Sequence, residues 1–385
     1  MKVKVAIERC PEYDSSLVQT AVSKAIAGAG GLESIIHPGD HVLLKVNLLN
    51  DSHPDRAVVT HPEVVRALIR QVKALGGKPI VGDAPGLNWA SMAKKVFQTS
   101  GMLKVCEEEG ARPAPFTDRG YETVILPTNS QMQTLHIARE VLEADVVISV
   151  AKAKSHIQAL YTGAIKNYFG VIPQNDRKIA HALPGIYPFS ECLVDIFAAS
   201  KHHFSIMDGV MGMEGRGPSS GKPRRLGLIL ASADPVALDR TTCACMGYDF
   251  EVPHLRMAAE RGFGVDDLHN IEIVGPPIET VMEEFEPPPT KPMPMQGAIN
   301  KLAMRAWRLQ PKITDDCIKC GECLKICPVD AITLGDSKAI IDYKKCVACF
   351  CCHELCPIHA VGEKKSVAVH SLQALRWMKK RFKSN

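Results

Sequence analysis

The chain has 385 residues, 46% of them hydrophobic and 23% charged, which suits one large packed domain plus a small one and excludes a disordered chain. Its formal charge of +4 is local: Arg376, Lys379, Lys380, Arg381 and Lys383 meet no acid in the last nineteen residues, and without them the sum is −1, so nothing suggests a nucleic-acid-binding body. The opening MKVKVAIERC lacks the apolar run of a signal peptide, and no stretch of about eighteen apolar residues follows, so a cytoplasmic protein without a transmembrane segment is expected.

In chain order, KVAIER reads as a strand and residues 15 to 28 as a helix. HVLLKVNLL is nearly continuously apolar, as strands buried on both faces of parallel sheets are. The next helix is expected to start with Thr60 as N-cap and Pro62 in its first turn, and to end at Gly76-Gly77. A strand KPIVGD, a helix over residues 90 to 109, a strand YETVILP, a short segment from Leu135 to Arg139 and the strand VVISVA follow. FSIMDGV, LGLILAS, a helix from Asp234-Pro235 through Cys245 and the strand IEIVG complete the alternation. Residues 1–285 are therefore expected to form an α/β domain, a large mostly parallel sheet flanked by helices, with its ligand at the carboxyl ends of the strands.

Polar runs close several of these strands: Lys45-Val46-Asn47, Gly82-Asp83-Ala84-Pro85-Gly86, and Lys152-Ala153-Lys154-Ser155-His156, followed by the run from Gly163 to Gly170. Ammonium groups near loops rich in N–H donors can hold a carboxylate or phosphate. Lys45, Asn47, Asp83, Lys152, Lys154 and Asn167 are the candidate substrate-binding residues, with His156 and Lys166 as candidate catalytic groups. For any single lysine, solvation or pairing with an acid is the plain alternative, and a lone His181 fits a structural role as well as a functional one. The run from Asp208 to Pro218 resembles a phosphate loop but fails its spacing, since Arg216 stands five before Gly221 and proline follows Lys222. Its glycines allow a mobile turn closing over a ligand, with Gly215 and Gly217 as binding positions and Glu214 as an acid or base. No G-x-G-x-x-G opens a helix after a strand, so no flavin or nicotinamide fingerprint is present.

After Val281 the composition shifts to EEFEPPPTKPMPMQG, with five prolines in eight residues, and residues 286–311 read as a Pro-rich and basic linker. At the C-terminus, residues 367–385 read as a basic helix whose apolar side (Leu372, Leu375, Trp377, Met378, Phe382) docks on its own protein or makes a weak membrane-surface or partner contact.

Between them, residues 312–366 hold eight cysteines in two copies of one spacing. Cys317, Cys320, Cys323 and Cys327-Pro328 form the first; Cys346, Cys349, Cys352 and Cys356-Pro357 form the second. C-x2-C-x2-C-x3-C-P is the ligand run of two-cluster ferredoxins, in which the fourth cysteine ligates the other cluster. Three thiolates two residues apart reach three corners of one cube, while the fourth is expected to have entered a short helix. The expected cofactors are two 4Fe-4S clusters: Cys317, Cys320, Cys323 and Cys356 hold one, and Cys327, Cys346, Cys349 and Cys352 the other, in a small α+β ferredoxin-like domain. Zinc also binds paired C-x2-C motifs but has no use for the repeated third spacing. Cys351, beside Cys352, leaves a choice of ligand that register resolves toward Cys352. The other cysteines (Cys10, Cys106, Cys192, Cys243, Cys245) are scattered, and reduced thiols fit a cytoplasm.

In this order the motifs resemble those of the family catalogued as domain of unknown function 362, many members of which carry a C-terminal two-cluster ferredoxin. The matching pieces are Leu44-Lys45-Val46-Asn47, Thr60-His61-Pro62, KAKSH, TGAIKNYFG, IMDGVMGMEGRGP, ASADPVALD and CFCCHELCP; members often have proline where this chain has Val46. The resemblance implies an iron-sulfur protein, often of anaerobes, and no assigned activity. The N-terminal half is also similar in layout to the lactate racemase family, with no motif that carries over its nickel chemistry. Two functions stay open: an oxidoreductase passing electrons through its clusters to a ligand in the α/β domain, or an electron carrier whose α/β domain docks a redox partner protein.

Overall fold

The computed structural model describes residues 2–86, 90–290 and 309–364; most of the expected linker, 291–308, and the expected C-terminal helix, 367–385, lie outside the described residues. The chain divides into two compact units, Met1–Pro289 and Thr290–Asn385.

The strands of the large unit are β1 (Val3–Arg9), β2 (His41–Lys45), β3 (Lys78–Asp83), β4 (Arg112–Pro115), β5 (Tyr121–Ile125), β6 (Thr134–Ala138), β7 (Val146–His156), β8 (Leu160–Thr162), β9 (Phe204–Glu214), β10 (Lys222–Ser232) and β11 (Ile271–Val274). Nine of them form one sheet in the order β11-β1-β10-β9-β7-β2-β3-β4, with β8 on β7. Within it only β10 and β8 run against the rest, so this is the expected mostly parallel sheet. The carboxyl ends of β2, β3, β7 and β9 consequently share one edge.

Strand alternation splits the core into two layers. Leu43, Val147, Ala151, Met207, Leu228 and Leu230 enter one; Val42, Leu44, Val146, Ile148, Val150, Ile206 and Ile229 enter the other. The first layer is covered by α7 (Gln174–Ala182), α8 (Ile186–Ala198), α9 (Pro235–Cys245) and α10 (Pro253–Glu260), which bury Ala180, Phe189, Leu238 and Leu255 in it. The second is covered by α1 (Ser15–Gly28), α2 (Pro62–Ala74) and α4 (Met102–Glu109), which bury Val18, Val64, Leu68 and Val105. Each such Val or Leu contributes roughly 1.5–3 kcal/mol when fully buried.

Five local expectations change. Thr60 does not cap α2: its hydroxyl donates to the Val150 carbonyl at 2.8 Å, and His61 is the N-cap, its ring accepting the Glu63 N–H. The expected helix over 90–109 is broken into α3 (Ala90–Thr99) and α4 by Gly101, whose φ of 78° leaves the helical region. YETVILP joins no large sheet; it pairs with β6 as a separate hairpin. The KAKSH run is no loop after a strand but the second half of β7. Likewise the glycine-rich run from Asp208 continues β9 to Glu214, and Lys222 returns opposite it as β10.

The small unit pairs β12 (Gln310–Ile313) with β15 (Val361–Lys364) and β13 (Ile332–Leu334) with β14 (Ala339–Ile341). Its helices are α11 (Glu322–Ile326) and α12 (Cys351–Glu354), the small α+β arrangement expected. The two copies match in backbone as in sequence: Lys319 and Ala348, Gly321 and Phe350, and Asp330 and His359 occupy corresponding places, all with positive φ. One expectation fails, because the crossing cysteines do not enter helices. Cys323 and Cys352 sit in the helices, and Cys327 and Cys356 follow their ends.

Candidate functional site

Two narrow cavities, each with about 20 Å³ of free space, lie in the small unit. Cys317, Cys320, Cys323 and Cys356 line the first; Cys327, Cys346, Cys349, Cys351 and Cys352 line the second. Each therefore draws on both copies of the motif. Burial pushes the Cys323 thiol up to about 11, helped by its neighbours Cys317, Cys320 and Cys356. Burial raises the Cys352 thiol, helped by Cys349, Cys346, Cys323 and Cys327, and it raises the Cys351 thiol, helped by a hydrogen bond with Cys349. Backbone N–H groups of Ala331 and Ala360 point at the sulfurs of Cys327 and Cys356, both at 3.2 Å, and that of Ala348 at Cys346 at 3.4 Å. Such donors stabilise negatively charged sulfur. Among the described residues no three His, Cys, Asp or Glu side chains are placed to share one metal ion. The thiols surround a volume rather than a point, which fits a cluster better than zinc.

In the large unit β7 is buried from end to end, Lys152, Lys154, Ser155 and His156 included. Buried cations cost several kcal/mol unless paired, and the structure pairs most of them. On the face of Leu43, the Lys45 ammonium meets Asp83 at 2.8 Å, the Val46 carbonyl at 2.8 Å and Asn167 Oδ1 at 3.1 Å. Asp83 also accepts the N–H groups of Leu48 and Ala84, and Asn167 donates to the Lys45 carbonyl and Ser149. Burial pulls the Lys45 ammonium down and the Asp83 carboxyl up, and each is the other's main counterweight. On the opposite face Lys152 meets Asp208 at 2.9 Å and Tyr13 at 2.7 Å, while the Tyr13 ring stacks on His61 with centroids 3.6 Å apart. Lys154 donates to Asn47 Oδ1 at 2.7 Å and to the Val58 carbonyl at 2.8 Å.

The β9–β10 turn is tied down. Gly217 N–H donates to Ser155 Oγ at 3.2 Å and its carbonyl accepts Ile157 N–H at 3.0 Å. Gly215, with φ of 70°, donates to the Glu286 carbonyl at 2.8 Å. Glu214 accepts the Glu286 N–H at 3.0 Å and lies 3.5 Å from Arg224.

Lys166 sits in the short helix α6 (Ala164–Asn167), whose first N–H groups, from Ala164 and Ile165, donate to Asp239 at 2.6 and 3.0 Å. Its ammonium lies 5.1 Å from the Phe169 ring centre. Phe169 meets His181 edge-on at 5.0 Å, and His181 stacks on Phe189 at 4.9 Å. His181 Nδ1 is 2.8 Å from Gln158 Oε1, and the N–H groups of Gln158 and Ala159 donate to His156 Nδ1 at 3.1 and 3.2 Å. These bonds assign the ring protons, to Nδ1 on His181 and to Nε2 on His156. A third imidazole, His254, lies in the first turn of α10; it is fully buried, and among the described residues neither ring nitrogen has a hydrogen-bond partner. Burial, and after it the charge of Lys166, hold His181 and His254 down to about 3 and His156 well below its usual range. All three rings are neutral near pH 7.

The structure thus distributes the candidates over separate groups: Lys45, Asp83 and Asn167; Lys152; Lys154 with Asn47; Gly215, Gly217 and Glu214 at the turn; and Lys166 with His156. Sequence reasoning passed over His254, Asp239 and Arg177. Arg177 is buried and donates to the carbonyls of Ile172, Pro85, Ala84 and Gly170. The helix that carries His254 was not expected from the sequence, and no spacing tied His254 to Lys166.

Comparison with known proteins covers both units. Residues 311–333 match the 4Fe-4S binding domain. A ferredoxin of Clostridium perfringens is 55% identical over 31 residues, 8% of this chain and 55% of that protein. The chain therefore spans about half of that ferredoxin. "Thylakoid-associated protein sll1697" of Synechocystis sp. is 35% identical over 241 residues, 62% of this chain and 73% of that protein. The apoprotein of lactate racemase from Thermoanaerobacterium thermosaccharolyticum superposes with a TM-score of 0.39 at 13% identity, covering 62% of this chain and 58% of the other. Residues 42–244 match the model described as "Domain of unknown function (DUF362)", and the chain belongs to that family.

Proposed function

We propose that the protein is an electron-transfer protein with two 4Fe-4S clusters, acting as a ferredoxin-linked oxidoreductase on a ligand or cofactor held by its large unit. The observation that carries the first part is the pair of cavities, one walled by four cysteines and the other by five, each set drawn from both copies of the motif. Cys317, Cys320, Cys323 and Cys356 hold one cluster; Cys327, Cys346, Cys349 and Cys352 hold the other. Cys351 stays outside both sets, because the register of the repeated spacing gives Cys352 the ligand position. The clusters supply one-electron transfer when bound. The chain's own contribution is to fix the sulfurs on loops whose N–H groups of Ala331, Ala348 and Ala360 share the sulfur charge, and to bury Cys327, Cys349 and Cys352.

In the large unit the reading centres on Lys166 and the imidazoles beside it. Lys166 attracts an anionic group, and His156, neutral with its proton on Nε2, is the proton donor. Lys45, Lys152 and Lys154 hold the sheet edge in shape through their internal partners. Glu214, Gly215 and Gly217 shape the neighbouring turn. A redox partner protein and a reducing compartment such as the cytoplasm complete the reading. Among the described residues no helix is long and apolar enough to cross a membrane.

A native mass spectrum of protein purified without oxygen tests both parts. The expected result is an excess equal to two cubane clusters plus a further mass that is absent from Lys166→Ala. Two clusters and no further mass favour a carrier whose large unit docks a partner. A single cluster, or zinc, overturns the ligand assignment.

A further inference from the structure

We propose that electrons enter and leave this protein at the ligand set Cys317, Cys320, Cys323 and Cys356, through an apolar, weakly charged surface of Ile318, Leu334 and Ile358 that receives a redox protein. The set Cys327, Cys346, Cys349 and Cys352 relays them internally. This rests on the reading that each set holds a 4Fe-4S cluster, and it names the one the partner meets.

The duplicated motif supplies its own control, because corresponding positions can be compared within one chain. Cys320 is exposed, while its counterpart Cys349 is buried. Cys317, Cys323 and Cys356 are half-buried, whereas Cys327 and Cys352 are buried and Cys346 is half-buried. Ile318 and Ile358 border the first cavity and are 62% and 39% exposed. Their counterparts Val347 and Val329 border the second and are half-buried. The two copies thus differ in what they show to a partner. Electron transfer slows steeply with distance through protein, so exchange is fastest at the set that reaches the surface.

The second support is the surface around that set. Leu334 is 49% exposed and stands directly opposite Ala339, which lines the first cavity, so its side chain joins the same face. Large apolar side chains gathered in the open mark a contact site. Tyr343, three residues before Cys346, is exposed too, but it is committed: its hydroxyl donates to the Pro311 carbonyl at 3.1 Å and its ring lies 5.0 Å from the Lys364 ammonium.

The third support is charge. Lys338 pairs with Asp315 at 2.6 Å, Lys325 pairs with Glu322 at 2.8 Å, and Lys319 Nζ donates to the Asp336 carbonyl at 2.9 Å. These charges largely cancel, so the partner is held by apolar contact rather than steered by a strong field. That fits a redox protein whose own centre lies under an apolar patch and whose contact is small and short-lived. One electron leaves its reduced centre and is taken up at the first set, then at the second; no proton moves and no bond breaks.

The test uses anaerobic, cluster-loaded, full-length protein. It is treated with the iron chelator bathophenanthroline disulfonate together with iodoacetamide, stopped while most of the iron is still bound, and mapped by peptide mass spectrometry. Cys317, Cys320, Cys323 and Cys356 are expected to carry several-fold more label than Cys327, Cys346, Cys349 and Cys352. In stopped flow with flavodoxin hydroquinone as the probe, Ile318→Ser combined with Ile358→Ser should slow reduction roughly tenfold, and Val347→Ser combined with Val329→Ser should leave it unchanged. More label on the second set, equal label on both, or no greater slowing by the first pair of substitutions than by the second overturns the proposal. If the substituted proteins lose iron, labelling of the parent, which needs no substitution, decides alone. A native mass spectrum with two clusters and label on the second set refutes the proposal and leaves the two-cluster reading standing; a spectrum short of two clusters refutes both.

Discussion

Lysines placed at strand ends by sequence invite a ligand, yet Lys45 shows how a buried cation can be spent entirely on its own fold. Its ammonium meets Asp83, Asn167 and a carbonyl, and no sequence pattern distinguishes that fate from anion binding, because the partners arrive from 38 and 122 residues away along the chain. Replacing Lys45 by Met leaves the Asp83 carboxylate buried without its cation, and is expected to cost about 3–5 kcal/mol in urea unfolding, more than the double replacement Lys45→Met with Asp83→Leu. Asp239 gives a pH prediction. Burial raises its carboxyl from 3.8 to about 7, so the folded chain binds the proton more tightly than the unfolded one. Its contribution is full below pH 3.8 and is lost as pH rises through about 7, by at most ~4 kcal/mol. Unfolding free energies measured from pH 5 to 8 should fall along that course, and Asp239→Asn should flatten it. Sequence analysis gave Asp239 no role of its own because its partners, the first N–H groups of α6, lie 75 and 74 residues away.

At the scale of elements, helices with a strong start signal were legible: Asp14 and Asp234 cap α1 and α9, and Pro62 and Pro235 open α2 and α9. What escaped was the length of β7 and β9, because lysine, histidine and glycine look like loop residues until the sheet edge they complete is known. β4 escaped for a related reason. Its two prolines argue against a strand, but it lies at the end of the sheet order, where a missing N–H is tolerated. The glycines near the β9–β10 turn are explained by close approach. A Cβ on Gly217 would run into the Ser155 carbonyl, and one on Gly212 would meet the Phe285 ring at 2.8 Å. Gly217→Ala is therefore expected to destabilise the large unit by about 1–3 kcal/mol, read as a lowered Tm with unchanged iron content.

At the scale of the whole molecule, the cysteine spacing made the small unit the most legible part of the chain, while the charged groups of the large unit sorted themselves only in three dimensions. The duplicated loops also make a sharp prediction about ligand identity. Cys356 belongs to the second copy of the motif but lines the cavity of Cys317, Cys320 and Cys323. Cys356→Ala should therefore lose the first cluster, halving the iron, while Cys351→Ala should keep both; iron analysis and low-temperature EPR of the reduced proteins distinguish these outcomes. The two ligand sets are also nested. Cys327, Cys346, Cys349 and Cys352 all fall within the stretch that Cys323 and Cys356 bracket, so whichever cavity fills first shortens the loop that must close around the other. Metal loading then becomes cooperative: in a cell short of iron, a molecule that already carries one cluster takes up the second more readily than an empty molecule takes up its first.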